Sequence, residues 1–489
     1  MIIGETIKQT ATRYPDKIAI SCDGEQITYK ELHTTIHFMK QQIVTVLRSP
    51  MKKKVAFLLE NDHQFLSLFL AISQLGAIAI PLDPKWSKDD LHYILTDCSP
   101  DLFIGEPIIP EVVSLSLHDL TEQKAIHLPV QDISDDHLFY IGYTSGTTGK
   151  PKGYLRTHSS WIHSFSVSDI VFNIENKDVI FAPGPLVHSH FLYAALHALH
   201  IGATVFITKK FRADAVHQTL TTYPITILYL VPTMFSALND VYSKTGSPIT
   251  NLKKVISAGA KWQTGLKQKA KVLIPHAEVF EFYGASELSL VSVLDEKGYL
   301  ENSESVGRAV PGVEVSIRRL DGTKASIGEI GKLFVKSKLV FSGYHNEQKA
   351  TNEVFYGSFA TVGDLAFLDD QGYITLVGRE KNMIISGGLN IYPEEVEKVL
   401  STLSQIDEVT VIGLEDTYWG EKLVAVIKWQ EGNRLTNQQL KQFCKQKLAS
   451  YKCPQQFIEL ESFPYTTSHK IARKEVIKLV ERKIEQARM

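Results

Sequence analysis

Short apolar runs alternate with longer amphipathic ones through the first two thirds of the chain. "VAFLLEN" (55–61), "GAIAIPLD" (76–83), "DVIFAPGP" (178–185), "GATVFIT" (202–208), "ITILYLVP" (225–232) and "LKKVISAGA" (252–260) are short hydrophobic runs that end in glycine, proline or small polar residues. Such runs read as strands buried on both faces. Between them, "FLSLFLAISQL" (65–75) and "HFLYAALHALHI" (190–201) have the length and composition of buried helices. The alternation predicts an α/β fold of largely parallel sheets covered by helices. After about residue 300 the rhythm shortens. "GVEVSIRRLDG" (312–322), "GKLFVKS" (331–337) and "GYITLVG" (372–378) carry glycine-rich or Asp-Gly turns, which predicts an antiparallel or β-barrel-like subdomain. Beyond "GREKN" the order is helix (394–403), strand (408–416), strand (422–430), helix (436–451). That is a small α+β unit of about a hundred residues. The expected division is therefore residues 1–380, a large N-terminal domain of mixed sheets and helices with the barrel-like subdomain, and residues 381–489, a small mobile C-terminal domain.

Composition narrows the function classes. The 489 residues carry a formal net charge of −2, with 22% charged and 10% aromatic residues. No basic excess suggests nucleic acid as a partner. The four cysteines, Cys22, Cys98, Cys444 and Cys453, form no CxxC pair and read as reduced thiols rather than metal ligands or a disulfide frame. The N-terminus lacks the apolar run of a signal peptide. The greasiest stretch, 65–83, is interrupted by Ser67, Ser73, Gln74 and Gly76 and reads as helix then strand, not a membrane span. A soluble cytoplasmic protein with no transmembrane segment is expected. The oligomeric state stays open between monomer and homodimer.

Candidate chemistry begins at "YTSGTTGKPKG" (143–153). Small side chains, hydroxyls and lysines cannot pack a core, but they let backbone N–H groups approach an anion. A Walker loop is excluded, because Pro151 follows Gly149-Lys150. What remains suits the outer phosphates of a nucleotide. "SAGAKW" (257–262), "EFYGASE" (281–287), "ATVGDLAFLD" (360–369), "LVGREKN" (376–382), "SGGLN" (386–390) and "SHKIAR" (468–473) follow in order.

Together these motifs resemble the adenylate-forming superfamily: acyl-CoA synthetases, peptide-synthetase adenylation domains and luciferases. The resemblance runs over nearly the whole chain. It implies attack of a carboxylate on the α-phosphorus of ATP, then transfer of the acyl group to a thiol, with ATP, Mg²⁺ and CoA as cofactors and co-substrates. It implies that Thr144, Ser145, Gly146, Thr147, Thr148 and Gly149 hold the β- and γ-phosphates. Lys150 and Lys152 either add screening or are surface lysines. Ser257, Gly259 and Ala260 enclose adenine with Tyr283, beside Gly284 and Ser286. Glu287 binds Mg²⁺, and Asp364 and Arg379 hold the ribose, a role compatible with a plain ion pair. Lys470 bridges the carboxylate and the α-phosphate. Lys381 is the hinge of a domain rotation that exchanges the Lys470 loop for the Gly387–Gly388 loop in the thioester step. The sequence departs from the family pattern at His469, where glycine is common, at Ser286, where threonine is usual, and at Asn382, where an acid is common.

His188 matches the family histidine at the mouth of the acyl pocket, and His190 reads as structural. The segments 190–196, 228–235, 257–262 and 283–293 are expected to line that pocket. Their apolar composition favours a fatty acid first and an aryl acid second, with Lys261 leaving a dicarboxylate open. The leading reading is a free-standing acyl-CoA synthetase. Its alternatives are an enzyme that loads a carrier protein and a non-catalytic nucleotide-binding relative.

Overall fold

The computed structural model describes residues 1–106, 112–120, 132–144, 150–262, 264–319, 321–430, 432, 434–465 and 471–488, without the side chains of residues 264, 487 and 488. It divides into two compact units: Met1–Val315 with Val335–Val362 and Gly372–Ile374, and Ser316–Phe334 with Gly363–Gln371 and Thr375–Met489.

The first unit holds two large mixed sheets. One runs Arg308–Ala309, Ser289–Leu294, Glu278–Ala285, Lys254–Ser257, Ile227–Leu230, Val179–Ala182, Thr204–Ile207, Ile18–Cys22, Glu25–Thr28. Its interior is parallel, from Glu278–Ala285 to Ile18–Cys22, and its edges are antiparallel. The four-residue strand Ile227–Leu230 is buried at every position. That double-sided burial explains the unbroken apolar runs. The other sheet runs Gly343–Tyr344, Lys152–Thr157, Leu138–Thr144, Ile78–Pro81, Lys54–Leu58, Leu102–Gly105, Ser114–Leu115. Helix His63–Gln74 packs against it, with the ring of Phe69 edge-on to Phe57, Phe139 and Tyr140 at centroid distances of 6.5, 6.0 and 5.7 Å. Asp62 stops this helix from extending backwards, because its carboxylate accepts from the N–H groups of Gln64 and Phe65. The greasy stretch is thus a 12-residue helix followed by the strand Ile78–Pro81. Among the described residues no helix is long and apolar enough to cross a membrane.

The second unit is a helix-flanked sheet. Gly420–Trp429 pairs antiparallel with Ile406–Asp416 and parallel with Gln456–Glu459. Alternate residues point to opposite faces. Val411, Leu423, Ala425 and Ile427 meet helices Pro393–Leu400 and Asn437–Lys447 through Val396, Leu400, Leu440 and Cys444. Ile412, Leu414, Val424 and Val426 meet Val476 and Val480 of helix Arg473–Arg488. The unit also contains an antiparallel pairing of Gly331 and Lys332 with Ala366 and Leu365. All four cysteines are buried and unpaired.

Three histidines of the first unit are held neutral by burial, His158 at a pKa of about 3 and His190 and His200 at about 4. Each is depressed below the unfolded value of about 6.5. Their contribution to stability is therefore complete above pH 6.5 and lost as pH falls through about 4 for His190 and His200 and about 3 for His158, on the order of 3 to 5 kcal/mol each. The unfolding midpoint of the first unit should drop across that window. In His200→Phe, which puts an apolar ring where the buried Nδ1 has no partner, the drop should be shallower. An identical pH profile would show that His200 is not protonated during acid unfolding.

Candidate active site

The glycine-rich loop joins two antiparallel strands, Leu138–Thr144 and Lys152–Thr157, with Thr144 opposite Lys152. Ser145, Gly146, Thr147, Thr148 and Gly149 lie outside the described residues. Thr144 closes the first strand. The Nζ of Lys150 sits 5.0 Å from the centroid of the Tyr93 ring, and that of Lys152 sits 5.5 Å from the centroid of Tyr344. The hydroxyl of Tyr344 donates to Oε1 of Glu287 at 2.6 Å. Lys152, Tyr344 and Glu287 thus form one line from the loop's exit to the carboxylate.

Residues 339–345 are bound into this arrangement on two sides. The N–H of Phe341 donates to the carbonyl of Glu287 at 2.8 Å. The N–H groups of Ser342 and His345 donate to the carbonyls of Leu155 and Gly153 at 2.9 and 2.7 Å. Arg156, 1% exposed, donates to the carbonyls of Leu339 at 2.6 Å and Ser286 at 3.4 Å. Burial lowers its pKa to about 10. Gly284 is required where it stands, since a Cβ there would lie 2.1 Å from the carbonyl oxygen of Ser289.

The turn after strand Lys254–Ser257 carries Gly259, Ala260 and Lys261 at the surface, with Gly259 at φ 87°. Ser257 is buried, and its Oγ accepts from the indole N–H of Trp262 at 2.7 Å. The backbone N–H of Trp262 donates to Oε2 of Glu281 at 2.7 Å, and Lys267 pairs with the same carboxylate while lying 3.4 Å from the centroid of Tyr299. This network fixes the turn from beneath. Tyr283 is half-buried on the neighbouring strand, opposite Ser292. Lys261 reaches Oε2 of Glu304 at 3.7 Å.

His188 is exposed and precedes helix Ser189–His200, its carbonyl accepting from the N–H groups of Phe191 and Leu192. His190 faces inward. A carbonyl can only accept, so the 3.1 Å contact of Nε2 with the oxygen of Leu230 fixes the tautomer with the proton on Nε2. The rings of Phe191, Tyr229 and Phe282 surround it at 4.9, 5.5 and 5.6 Å. Phe235 packs on Trp262 at 4.5 Å. Of the segments expected to share a pocket, 190–196 meets 228–235 through His190 and Tyr229, 228–235 meets 257–262 through Phe235 and Trp262, and His190 also reaches Phe282, just before 283–293.

In the second unit the carboxylate of Asp364, almost fully buried, pairs with Nε of Arg379 at 2.9 Å. The next residue, Glu380, donates its N–H to the carbonyl of Gly363 and pairs with Lys332 at 2.7 Å. Lys381 is exposed in the short turn Glu380–Asn382, and Asn382 donates to Oε1 of Glu394 at 2.9 Å. Gly387 and Gly388, at φ 56° and 78°, form the two-residue turn between strands Ile384–Ser386 and Leu389–Ile391. A tight hairpin turn with positive φ at both positions selects glycine. Lys470 and His469 lie outside the described residues.

The family model described as AMP-binding enzyme matches residues 7–345, and the one described as AMP-binding enzyme C-terminal domain matches residues 395–470. The chain belongs to the AMP-binding enzyme family. It is 38% identical to the uncharacterized acyl–CoA ligase YhfT of Bacillus subtilis, over 99% of this chain and all of that one. It is 31% identical to the putative long chain fatty acid-CoA ligase VraA of Staphylococcus aureus, over 98% of each. Among solved structures, the O-succinylbenzoate coenzyme A synthetase MenE of Bacillus subtilis, in complex with ATP and magnesium ion, superposes with a TM-score of 0.89 at 26% identity, over 98% of this chain and 99% of that one. In this AMP-binding enzyme the described parts of the motifs fall on strands, strand ends and turns, but their supports lie elsewhere in the chain. Tyr344 and Arg156 carry no motif signal beyond the glycine before Tyr344. Glu281 and Lys267 look like ordinary surface charges in the sequence.

Proposed function

We propose that this AMP-binding enzyme is an AMP-forming acid–CoA ligase. The observation that carries the reading is the Glu287 carboxylate, held by Tyr344 beside Lys152 at the exit of the glycine-rich loop. Magnesium fits this site. Among the described residues no group of three acidic, histidine or cysteine side chains could hold a metal. A cation at Glu287 would therefore take its other ligands from phosphate oxygens and water, the habit of Mg²⁺ rather than of a protein-caged ion. When bound it would neutralise charge on the phosphates.

In the first step a carboxylate oxygen attacks the α-phosphorus, the bond to the β-phosphate bridging oxygen breaks, and pyrophosphate leaves. Two anions must meet, so fixed donors have to be in place beforehand. Residues 144–149 and Lys150 hold the outer phosphates, and Lys470 spans the carboxylate and α-phosphate. Ser257, Gly259, Ala260, Tyr283, Gly284 and Ser286 form the adenine side. Asp364 accepts from the ribose hydroxyls, with Arg379 locking its orientation. In the second step the thiol of CoA attacks the acyl carbonyl and AMP leaves. Residues 381–489 swing about Lys381 between the steps and bring Gly387 and Gly388 to the reaction. His188 guards the acyl entrance. The ring-lined wall of His190, Tyr229 and Phe282 supports an aryl acid over the fatty acid that composition favours, although the name of VraA leans the other way. Four buried free thiols suit a reducing, cytoplasmic setting.

With ATP, Mg²⁺, CoA and the right acid, AMP, pyrophosphate and acyl-CoA should form in equal amounts. ADP and phosphate as products would sink this reading, and adenylate formation that CoA cannot discharge would point to a carrier protein as acceptor. Tyr344→Phe should raise the Mg²⁺ concentration for half-maximal rate about tenfold, the scale of one hydrogen bond to a charged group. Mn²⁺ binding to the ATP complex, followed by electron paramagnetic resonance, should weaken in parallel while the melting temperature stays close to wild type. Unchanged metal binding would remove Tyr344 from the site.

A further inference from the structure

Tyr193 lies three residues after His190 on helix Ser189–His200, hence on the same side of it. Its ring stands against Trp161 and Phe165 at 5.4 and 4.9 Å, but its hydroxyl enters a polar cluster. That hydroxyl donates to Ser164 Oγ at 3.0 Å and pairs with Ser168 Oγ at 2.8 Å. Ser164 Oγ in turn lies 3.3 Å from Ser289 Oγ. Ser289 is two residues beyond Glu287 and is held at φ 61°, a costly conformation for a residue with a Cβ. Ser164 and Ser168 are fully buried, whereas Tyr193, Ser289, His190 and Phe282 each keep some exposed surface although all lie among core elements. Their partial exposure sets them at the edge of the core, beside the buried hydroxyls.

Tyr229 supplies a second observation. It is 1% exposed, its ring stacks obliquely near His190, and its hydroxyl has no hydrogen-bond partner. A buried unpartnered hydroxyl is unfavourable and is expected to meet a polar group of something that binds. The surroundings define that group. His190 is neutral, with its proton committed to Leu230. Asp169, whose charge reaches both Tyr193 and Tyr229, is paired with the buried His197 at 2.8 Å. Arg156, whose charge also reaches Tyr193, spends its terminal amino groups on the carbonyls of Leu339 and Ser286. A second carboxylate would add to the charge of Asp169, with no dedicated cation beside it among the described residues. A plain alkyl chain would lie against hydroxyls and leave Tyr229 unpartnered.

We propose that the acyl pocket ends at Tyr229 and at the hydroxyl cluster around Tyr193 and Ser289, and that the acid activated carries an uncharged hydroxyl on an aromatic body. The proposal rests on the ligase reading and names its substrate class. A site built to hydrogen-bond such a group rejects the analogue that lacks it.

The test compares kcat/KM for 3-(4-hydroxyphenyl)propanoate, 3-phenylpropanoate, octanoate and 2-succinylbenzoate in the wild-type protein, Tyr193→Phe and Tyr229→Phe. The wild type should prefer the hydroxylated acid over its parent by about tenfold or more. Both variants should bring that ratio toward one. Tyr229→Phe, which deletes an unpartnered hydroxyl, should melt no lower than wild type, so a lost preference there cannot be misfolding. Faster turnover of octanoate, 3-phenylpropanoate or 2-succinylbenzoate would overturn the proposal, as would variants that slow the hydroxylated acid and its parent equally. Those failures leave acid-dependent AMP formation intact. Absence of AMP with every acid would instead overturn the ligase reading, and the proposal with it.

Discussion

Residues 339–345 are the knot on which the first unit's site depends. They pair with the strand that leaves the glycine-rich loop, accept the buried guanidinium of Arg156, and hold the Ser286–Glu287 turn by a backbone hydrogen bond. Tyr344 then orients the Glu287 carboxylate from within this knot. Chemistry that joins two anions needs its donors and the carboxylate proposed to bind its metal positioned before the reactants arrive, since reorganisation during the reaction would cost what the site is meant to supply. A carboxylate on a turn, held by one hydroxyl and a ladder of backbone bonds, meets that need with few residues. Arg156 shows the cost: a cation taken out of water and satisfied by carbonyl dipoles, with Nε left without a partner.

The second unit works on a different principle. Asp364 and Arg379 share one ion pair at the start of the segment that leads into Lys381, and the strand after it ends in the Gly387–Gly388 turn. The proposed ribose residues, the proposed hinge and the proposed thioester loop thus follow one another within about 25 residues of chain, as the proposed two-step motion requires.

Much of this was legible in the sequence because buried parallel strands have an unmistakable pattern. "ITILYLVP" and "GAIAIPLD" could hardly be anything else, and the helix that precedes "GAIAIPLD" begins where Asp62 caps it. The glycines were legible as well: Gly284 faces a carbonyl at close range, and Gly387 and Gly388 need positive φ. Residues that act through others were not. Tyr344 lies 57 positions from Glu287, and Arg156 lies 130 from Ser286. Sequence spacing carries no signal at that range. The polar detail of the pocket segments was illegible for a related reason. Tyr193 and Tyr229 count as aromatic in a composition, and only packing reveals that one hydroxyl joins a serine cluster while the other meets nothing.

The measurement that most directly tests the central claim is ATP–pyrophosphate exchange without CoA. Labelled pyrophosphate should enter ATP only when an acid is present, because the acyl-adenylate forms reversibly at a site prepared before CoA arrives. Exchange that needs no acid, or that appears only after CoA is added, would contradict an adenylate intermediate built on Glu287 and the glycine-rich loop.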